Sequence, residues 1–244
     1  MRQGTEITMA SKFVKKQVKR LLWRRGLELR PRRPNLVQFL ESRKIDIFLD
    51  VGANTGQTGL QLREQGYRGR IVSFEPVKTV FERLERVADR DGNWEVQNFA
   101  LGSASAQTPI KISESTIYSS MLDQTPEAQR YDRSAKVQRE ENVEVRRLDD
   151  IFSRFRGHRV FLKIVTQGFE REVLEGAQES LDEISGAMLI LPIVQLYRGN
   201  WSLPEALAYM EKRGFILGQT GQESFEGEEK VTLLELYCIF RRQL

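Results

Sequence analysis

The sequence predicts an α/β domain built on a parallel sheet covered by helices, and three observations predict it. Short apolar runs alternate with helical patterns from residue 45 onward, a glycine-rich turn (DVGANTG, Asp50 to Gly56) follows the first run, and Glu75 closes the next run, IVSFEP. Alternation of this kind is the pattern of β-α-β units, whose strands pair in parallel with helices packed on the faces. Pro31 and Pro34 break the chain ahead of the domain, which begins near residue 35, and Leu36, Val37, Phe39 and Leu40 form a short helix leading into it. A strand is then expected at 45–50, a helix at 56–65, a strand at 70–74, a helix at 77–89 and a strand at 94–98.

The polar stretch from Ser113 to Glu141, which carries STIYSSM, has little sustained period. Loops this long in a compact domain are usually functional, so it reads as a lid. Beyond it, VEVRRLDDIF gives a strand running into a helix start and RVFLKIV gives a strand ending at the same edge as Asp50. A helix follows from Phe169 to Leu181, then the buried strand of GAMLILPIVQLY, then a helix from Ser202 to Arg213 with Ser202 as its cap. GFILG and VTLLELYCIF are two last strands, joined through GQTGQESFEGEEK in the manner of a hairpin.

The glycine turn and Glu75 together read as the two halves of a nucleoside-cofactor site. Glu75 lies 25 residues after Asp50, the spacing at which an acidic residue on the second strand accepts hydrogen bonds from ribose hydroxyls, while the helix after the turn presents its N-terminus to the ligand. A dinucleotide fingerprint needs a glycine where Asn54 stands, between Gly52 and Gly56. Asp50 would also repel a pyrophosphate, whereas it suits a cofactor with an ammonium group, as the methionine end of S-adenosylmethionine has.

With 244 residues and 40% hydrophobic content, the chain has enough apolar material for one substantial core. No apolar run approaches the roughly 20 residues that span a bilayer, and the N-terminus is charged where a signal peptide is apolar, so a cytoplasmic location is expected. A single cysteine, Cys238, excludes a disulfide framework. No His, Asp and Glu cluster has metal-ligand spacing, and no metal is expected. Residues 1–34 hold 11 Lys and Arg against two acids, while the remainder holds 27 against 32. Phe13, Val14, Val18, Leu21 and Leu22 share a helical face between those charges. The plain expectation is that this basic amphipathic extension packs on the domain; contact with an anionic membrane or an acidic partner is the alternative. Nucleic acid is not an expected partner, because the body is acidic and lacks a recurring basic-aromatic platform.

Several segments, in order, resemble the FkbM family of S-adenosylmethionine-dependent methyltransferases: DVGANTG, GRIVSFEP, NFALG, SSML, VRRLDD, LKIVTQGFEREVLEGA and LYRG. The resemblance covers most of residues 45–240 and implies the Rossmann-like class I methyltransferase sheet, with seven mostly parallel strands, helices on both faces and the last strand antiparallel. It implies O-methylation of a small molecule or saccharide with S-adenosyl-L-methionine as cofactor. It places Asp50, Gly52, Asn54 and Gly56 at the methionine end of the cofactor, Glu75 at the ribose, and Asn98, Ala100 and Leu101 near the adenine. Lys163 and Gln167 fall where the family faces the transferred methyl, as catalytic candidates.

Three departures accompany the match. Val165 stands where the family usually has the aspartate of LKID, Ile190 where a glutamate is common, and Tyr237 where an aspartate often precedes the last apolar residues. The cofactor-side carboxylates persist while substrate-side ones are missing, which implies retained cofactor binding and impaired or altered catalysis. A non-catalytic cofactor-binding protein and an NAD-dependent oxidoreductase are the competing readings.

Overall fold

The computed structural model describes residues 16–26, 35–225 and 232–243. The chain divides into two units, Met1–Asn35 and Leu36–Leu244. In the first, residues 16–23 form helix α1, followed by a turn through Gly26. Phe13 and Val14 lie outside the described residues, and Val18 and Leu21 are exposed.

The second unit opens with α2 (Leu36–Ser42), whose Val37, Phe39 and Leu40 are buried. Next come β1 (Ile47–Val51), α3 (Gln57–Glu64), β2 (Arg70–Phe74), α4 (Lys78–Ala88) and β3 (Trp94–Gln97), each within two residues of the boundaries expected from periodicity. The strands β4 (Ala100–Leu101), β5 (Ala106–Ser113) and β6 (Val137–Arg146) form a separate small sheet, ordered β4-β6-β5. Between β5 and β6 lie a 3₁₀ turn at Thr116–Tyr118, α5 (Pro126–Tyr131) and a second 3₁₀ turn at Arg133–Ala135. The expected lid therefore ends earlier than Glu141, since residues 137–141 pair with Ser113–Ile110 across the β5–β6 ribbon. Few apolar residues mark this ribbon because much of it is solvated: the first half of β5 is mostly exposed and Pro109 interrupts its pattern.

The chain continues through α6 (Leu148–Ile151), β7 (Val160–Ile164), α7 (Glu170–Glu175), β8 (Ile184–Pro192), α8 (Leu203–Lys212), β9 (Phe215–Phe225) and β10 (Leu233–Arg242). The main sheet has seven strands in the order β3-β2-β1-β7-β8-β10-β9, parallel from β3 to β8, with β10 antiparallel to both neighbours. The link from Gln219 to Phe225, expected as a connection, instead extends β9 along β10. Strands β1 and β7 are buried at every position, as central strands covered on both faces are.

Two apolar layers flank the sheet. Leu49, Leu162, Leu189 and Phe240 belong to the larger cluster, and Phe48, Ile71, Phe161 and Ile239 to the other. Phe48 and Phe161 stack across β1 and β7 with ring centroids 5.5 Å apart. This alternation fixes which residues share a face: Asp50 and Lys163 follow Phe48 and Phe161 by two, and Met188, Ile190 and Tyr237 continue the row through the strand pairings.

The sequence places Ser202 as a helix cap, and its hydroxyl accepts from Glu205 N while the Glu205 carboxylate accepts from Ser202 N at 2.7 Å, a complete capping box. Replacing Ser202 with Ala is expected to lower stability by about 1 kcal/mol, read as a shift in the denaturant midpoint with an unchanged slope.

Candidate active site

The carboxyl ends of β1, β2 and β7 converge, and the glycine turn is the piece that lets them do so. Gly52 and Ala53 both donate their amides to Phe74 O at 3.1 Å, and Val165 N donates to Val51 O at 3.1 Å. Gly52 has φ +72°, and a Cβ there would sit 2.0 Å from the Val165 carbonyl oxygen. Only glycine fits both the left-handed backbone and this contact. Asn54 is also left-handed, at φ 48°; its side-chain Oδ1 accepts from Thr55 N at 2.8 Å, which supports that conformation. Gly56 stands at the N-cap of α3 and supplies no side-chain cap, so the helix start keeps amides available for a ligand.

Glu75 is buried at the end of β2. Its Oε2 accepts from Asn54 N and its Oε1 from Val77 N, each at 3.0 Å. Burial pushes the carboxyl up to about 7, against the lowering effect of those two amides and of Lys163. Asn98 is exposed and donates to Glu75 O at 2.9 Å and Pro76 O at 3.1 Å, joining the ends of β2 and β3. Ala100 and Leu101 make up β4, and the Leu101 side chain belongs to the main core.

Asp50 and Lys163 are register partners in β1 and β7. The sequence reading sets Asp50 toward a ligand ammonium and Lys163 toward the transferred methyl; the structure aims the two at each other. Lys163 Nζ lies 2.7 Å from Asp50 Oδ1 and donates to Gly52 O at 3.2 Å, with both side chains almost fully buried. The ion pair is close but not aligned as a hydrogen bond, and neither Asp50 oxygen has a well-directed donor among the described residues.

Gln167 lies on the turn after β7, left-handed at φ 56°. Its carbonyl accepts from Ser120 Oγ at 2.6 Å and its Oε1 from Tyr197 OH at 2.9 Å. Glu170 shapes this turn from beneath: its Oε1 accepts from Thr166 N at 2.8 Å, Thr166 Oγ1 at 3.2 Å and Gly168 N at 3.3 Å. Burial raises the Glu170 carboxyl to about 7.

Periodicity alone does not predict how the lid attaches. Thr116 Oγ1 accepts from Asn54 Nδ2 at 3.1 Å, Ser120 reaches Gln167, and Thr125 and Asp123 are tied to Gln195 and Arg198 beyond β8. Tyr118 OH donates to Asp132 at 3.0 Å, and Tyr197 OH also reaches Tyr118 O at 3.1 Å. A cleft of about 630 Å³ between α4 and the β5–β6 ribbon opens beside Thr116, with Thr79, Arg83 and Arg139 in its wall. Both STIYSSM and LYRG carry the polar groups involved, so the signal was in the sequence without the pairing.

Of the three positions without a carboxylate, Ile190 and Tyr237 face each other across β8 and β10. Glu235 stands two residues before Tyr237 on the same face, half-buried, and accepts from Ser224 Oγ at 2.7 Å. Burial raises its carboxyl, and its charge in turn raises the phenols of Tyr118 and Tyr197, which burial has already raised further. Counting by two along VTLLELYCIF finds this residue. His158, the only histidine, sits outside the site before β7, 3.3 Å from Asp46.

These residues fit S-adenosylmethionine. Each Glu75 oxygen takes one amide and keeps acceptor capacity for a diol, and the buried Asp50 oxygens keep unused acceptor capacity. Seven strands with one antiparallel member, the glycine turn and Glu75 define an S-adenosylmethionine-dependent methyltransferase. The chain belongs to the FkbM methyltransferase family, whose domain model matches residues 50–217.

Among solved structures, the chain is similar to the methyltransferase domain of bacterial CtHen1 (12% identity over 86% of this chain and 95% of that one, TM-score 0.47). It is also similar to an rRNA methylase from Streptococcus thermophilus (10% identity, 88% and 100% covered, TM-score 0.45). A third likeness is to LepI in complex with S-adenosylmethionine (14% identity, 88% and 50% covered, TM-score 0.44). No curated protein matches the chain in sequence.

Substitutions at the Asp50–Lys163 pair and at Glu170 test the electrostatics. Lys163→Met strands a buried carboxylate and is expected to destabilise by about 3–5 kcal/mol, whereas Asp50→Leu combined with Lys163→Met recovers much of that loss in chemical denaturation. For Glu170 the folded carboxyl titrates above the ordinary value of 4.5. The folded state then binds more protons than the unfolded chain, and its contribution to stability is fully present below about 4.5 and lost as pH rises to about 7. Glu170→Gln keeps the amide acceptor, so relative to the parent it is expected to gain about 1–3 kcal/mol between pH 5 and pH 8 in thermal melts.

Proposed function

We infer that this methyltransferase acts on a hydroxyl of a small molecule or saccharide. The observation that carries this reading is the set of neutral hydroxyl, phenol and amide groups above the strand ends. Thr116, Tyr118, Ser120, Gln167 and Tyr197 are held together by the lid. Such groups donate and accept in turn, as hydroxylated acceptors require.

Glu75 would hold the ribose diol of the cofactor, and Gly52, Asn54 and Gly56 would let the backbone approach its methionine end. When bound, S-adenosylmethionine supplies an electrophilic methyl group and leaves as the neutral thioether. The Asp50–Lys163 pair lies buried in the floor of the site, where Lys163 also donates to Gly52 O. Gln167, fixed by Tyr197, orients the acceptor hydroxyl. Val165 and Ile190 cannot take its proton and Tyr237 offers a phenol in place of a carboxylate, which leaves Glu235 beside Asp50, itself paired with Lys163, as carboxylates on that face. A general base contributes typically 10²–10⁴-fold, while positioning contributes up to roughly 7–11 kcal/mol, so turnover is slow but present.

Calorimetry with S-adenosylhomocysteine tests the cofactor half. Affinity is expected to rise between pH 6 and pH 8 as Glu75 ionises and becomes the stronger acceptor, and Glu75→Ala is expected to weaken binding by about tenfold or more. Incubation with methyl-labelled S-adenosylmethionine and a panel of sugars, phenols and amines tests the acceptor half. Methyl ethers are expected, and label appearing only on nitrogen or carbon would overturn the O-methyl reading.

A further inference from the structure

We propose that α1 docks this protein on an anionic lipid surface, lying flat with its apolar row toward the acyl chains. Within residues 16–26 there are five cations, Lys16, Lys19, Arg20, Arg24 and Arg25, and no acid. Val18, Leu21 and Leu22 follow the i, i+3, i+4 spacing and share one helical face, while Lys16, Lys19, Arg20 and Trp23 fall on the opposite one. Val18 is 42% and Leu21 57% exposed. A helix with an exposed apolar row and an uncompensated basic face is complementary to phosphate-bearing headgroups above hydrocarbon.

Both halves of that surface are needed for the assignment. An acidic polymer such as RNA would use the cations but leaves the apolar row in water, and a purely apolar partner leaves five cations unmatched. Sequence continues the pattern upstream with Lys12, Phe13, Val14 and Lys15. No helix among the described residues is long and apolar enough to cross a membrane, so the contact is with the surface. The acidic balance of residues 35–244 confines the attraction to this end of the chain.

Co-sedimentation of the full chain with vesicles decides the matter. Vesicles of phosphatidylcholine with about 30 mol% phosphatidylserine are expected to pellet the protein, whereas pure phosphatidylcholine does not. Replacing Lys16, Lys19 and Arg20 with Glu should abolish pelleting, since each cation lost weakens binding about fivefold, and about 0.5 M NaCl should release the parent. Changing Val18, Leu21 and Leu22 to Ser should weaken binding by about tenfold or more at unchanged charge. Cofactor affinity and the thermal midpoint serve as controls for an intact domain. Failure of the parent to pellet overturns the proposal. Loss in the charge variant without loss in the apolar variant also overturns it, in favour of a soluble polyanion.

Discussion

The buried pair of Asp50 and Lys163 is the constraint on which the site depends. Two opposite unit charges leave water between the central strands, and each offsets the desolvation cost of the other. Their attraction therefore holds β1 and β7 in one register at the edge where the ligands meet. Lys163 also holds the Gly52 carbonyl, which sets the glycine turn against the Val165 backbone. From that turn Asn54 donates its amide to Glu75 and its side chain to Thr116. One ion pair thus lies beneath the cofactor carboxylate and beneath one anchor of the lid.

Glu75 and Glu170 show the same economy of design with opposite outcomes. Each is buried, each is raised to about 7 by that burial, and each accepts backbone amides. Glu170 spends its bonded oxygen on the turn that carries Gln167, and so acts through the shape of the backbone. Glu75 takes one amide per oxygen and keeps capacity for a diol. Position within the turn, not residue type, separates a scaffold carboxylate from a binding one. The absent carboxylates at Val165 and Ile190 relieve further desolvation on the acceptor side, where Glu235 stands as an acid on the face that also carries Asp50.

Much of this was legible in the chain. Strands β1 and β2 and helices α3 and α4 follow from apolar runs and period, because each buries its apolar side locally. The capping box at Ser202 and Glu205 and the pairing of the glycine turn with Glu75 have short-range chemical causes. The β5–β6 ribbon was not legible, since a half-solvated antiparallel pair interrupted by Pro109 carries a weak apolar alternation. Nor was the extension of β9 through Gln219 to Phe225, whose polar residues are ordered by the ladder to β10.

What the sequence by itself determined is the parallel sheet and the row of residues on each strand, from period and spacing, and the family and cofactor class, from the resemblance of its ordered segments to that family. Tertiary structure alone decided which charges meet. Asp50 and Lys163 are 113 residues apart, and only strand order brings them side by side as an ion pair. The same holds for Gln167 with Tyr197 and Ser120, and for Glu235 on the face of Ile190 and Tyr237. Hydrophobic periodicity is a local property of the chain, whereas electrostatic and hydrogen-bond partnership depends on distances that only the folded sheet sets.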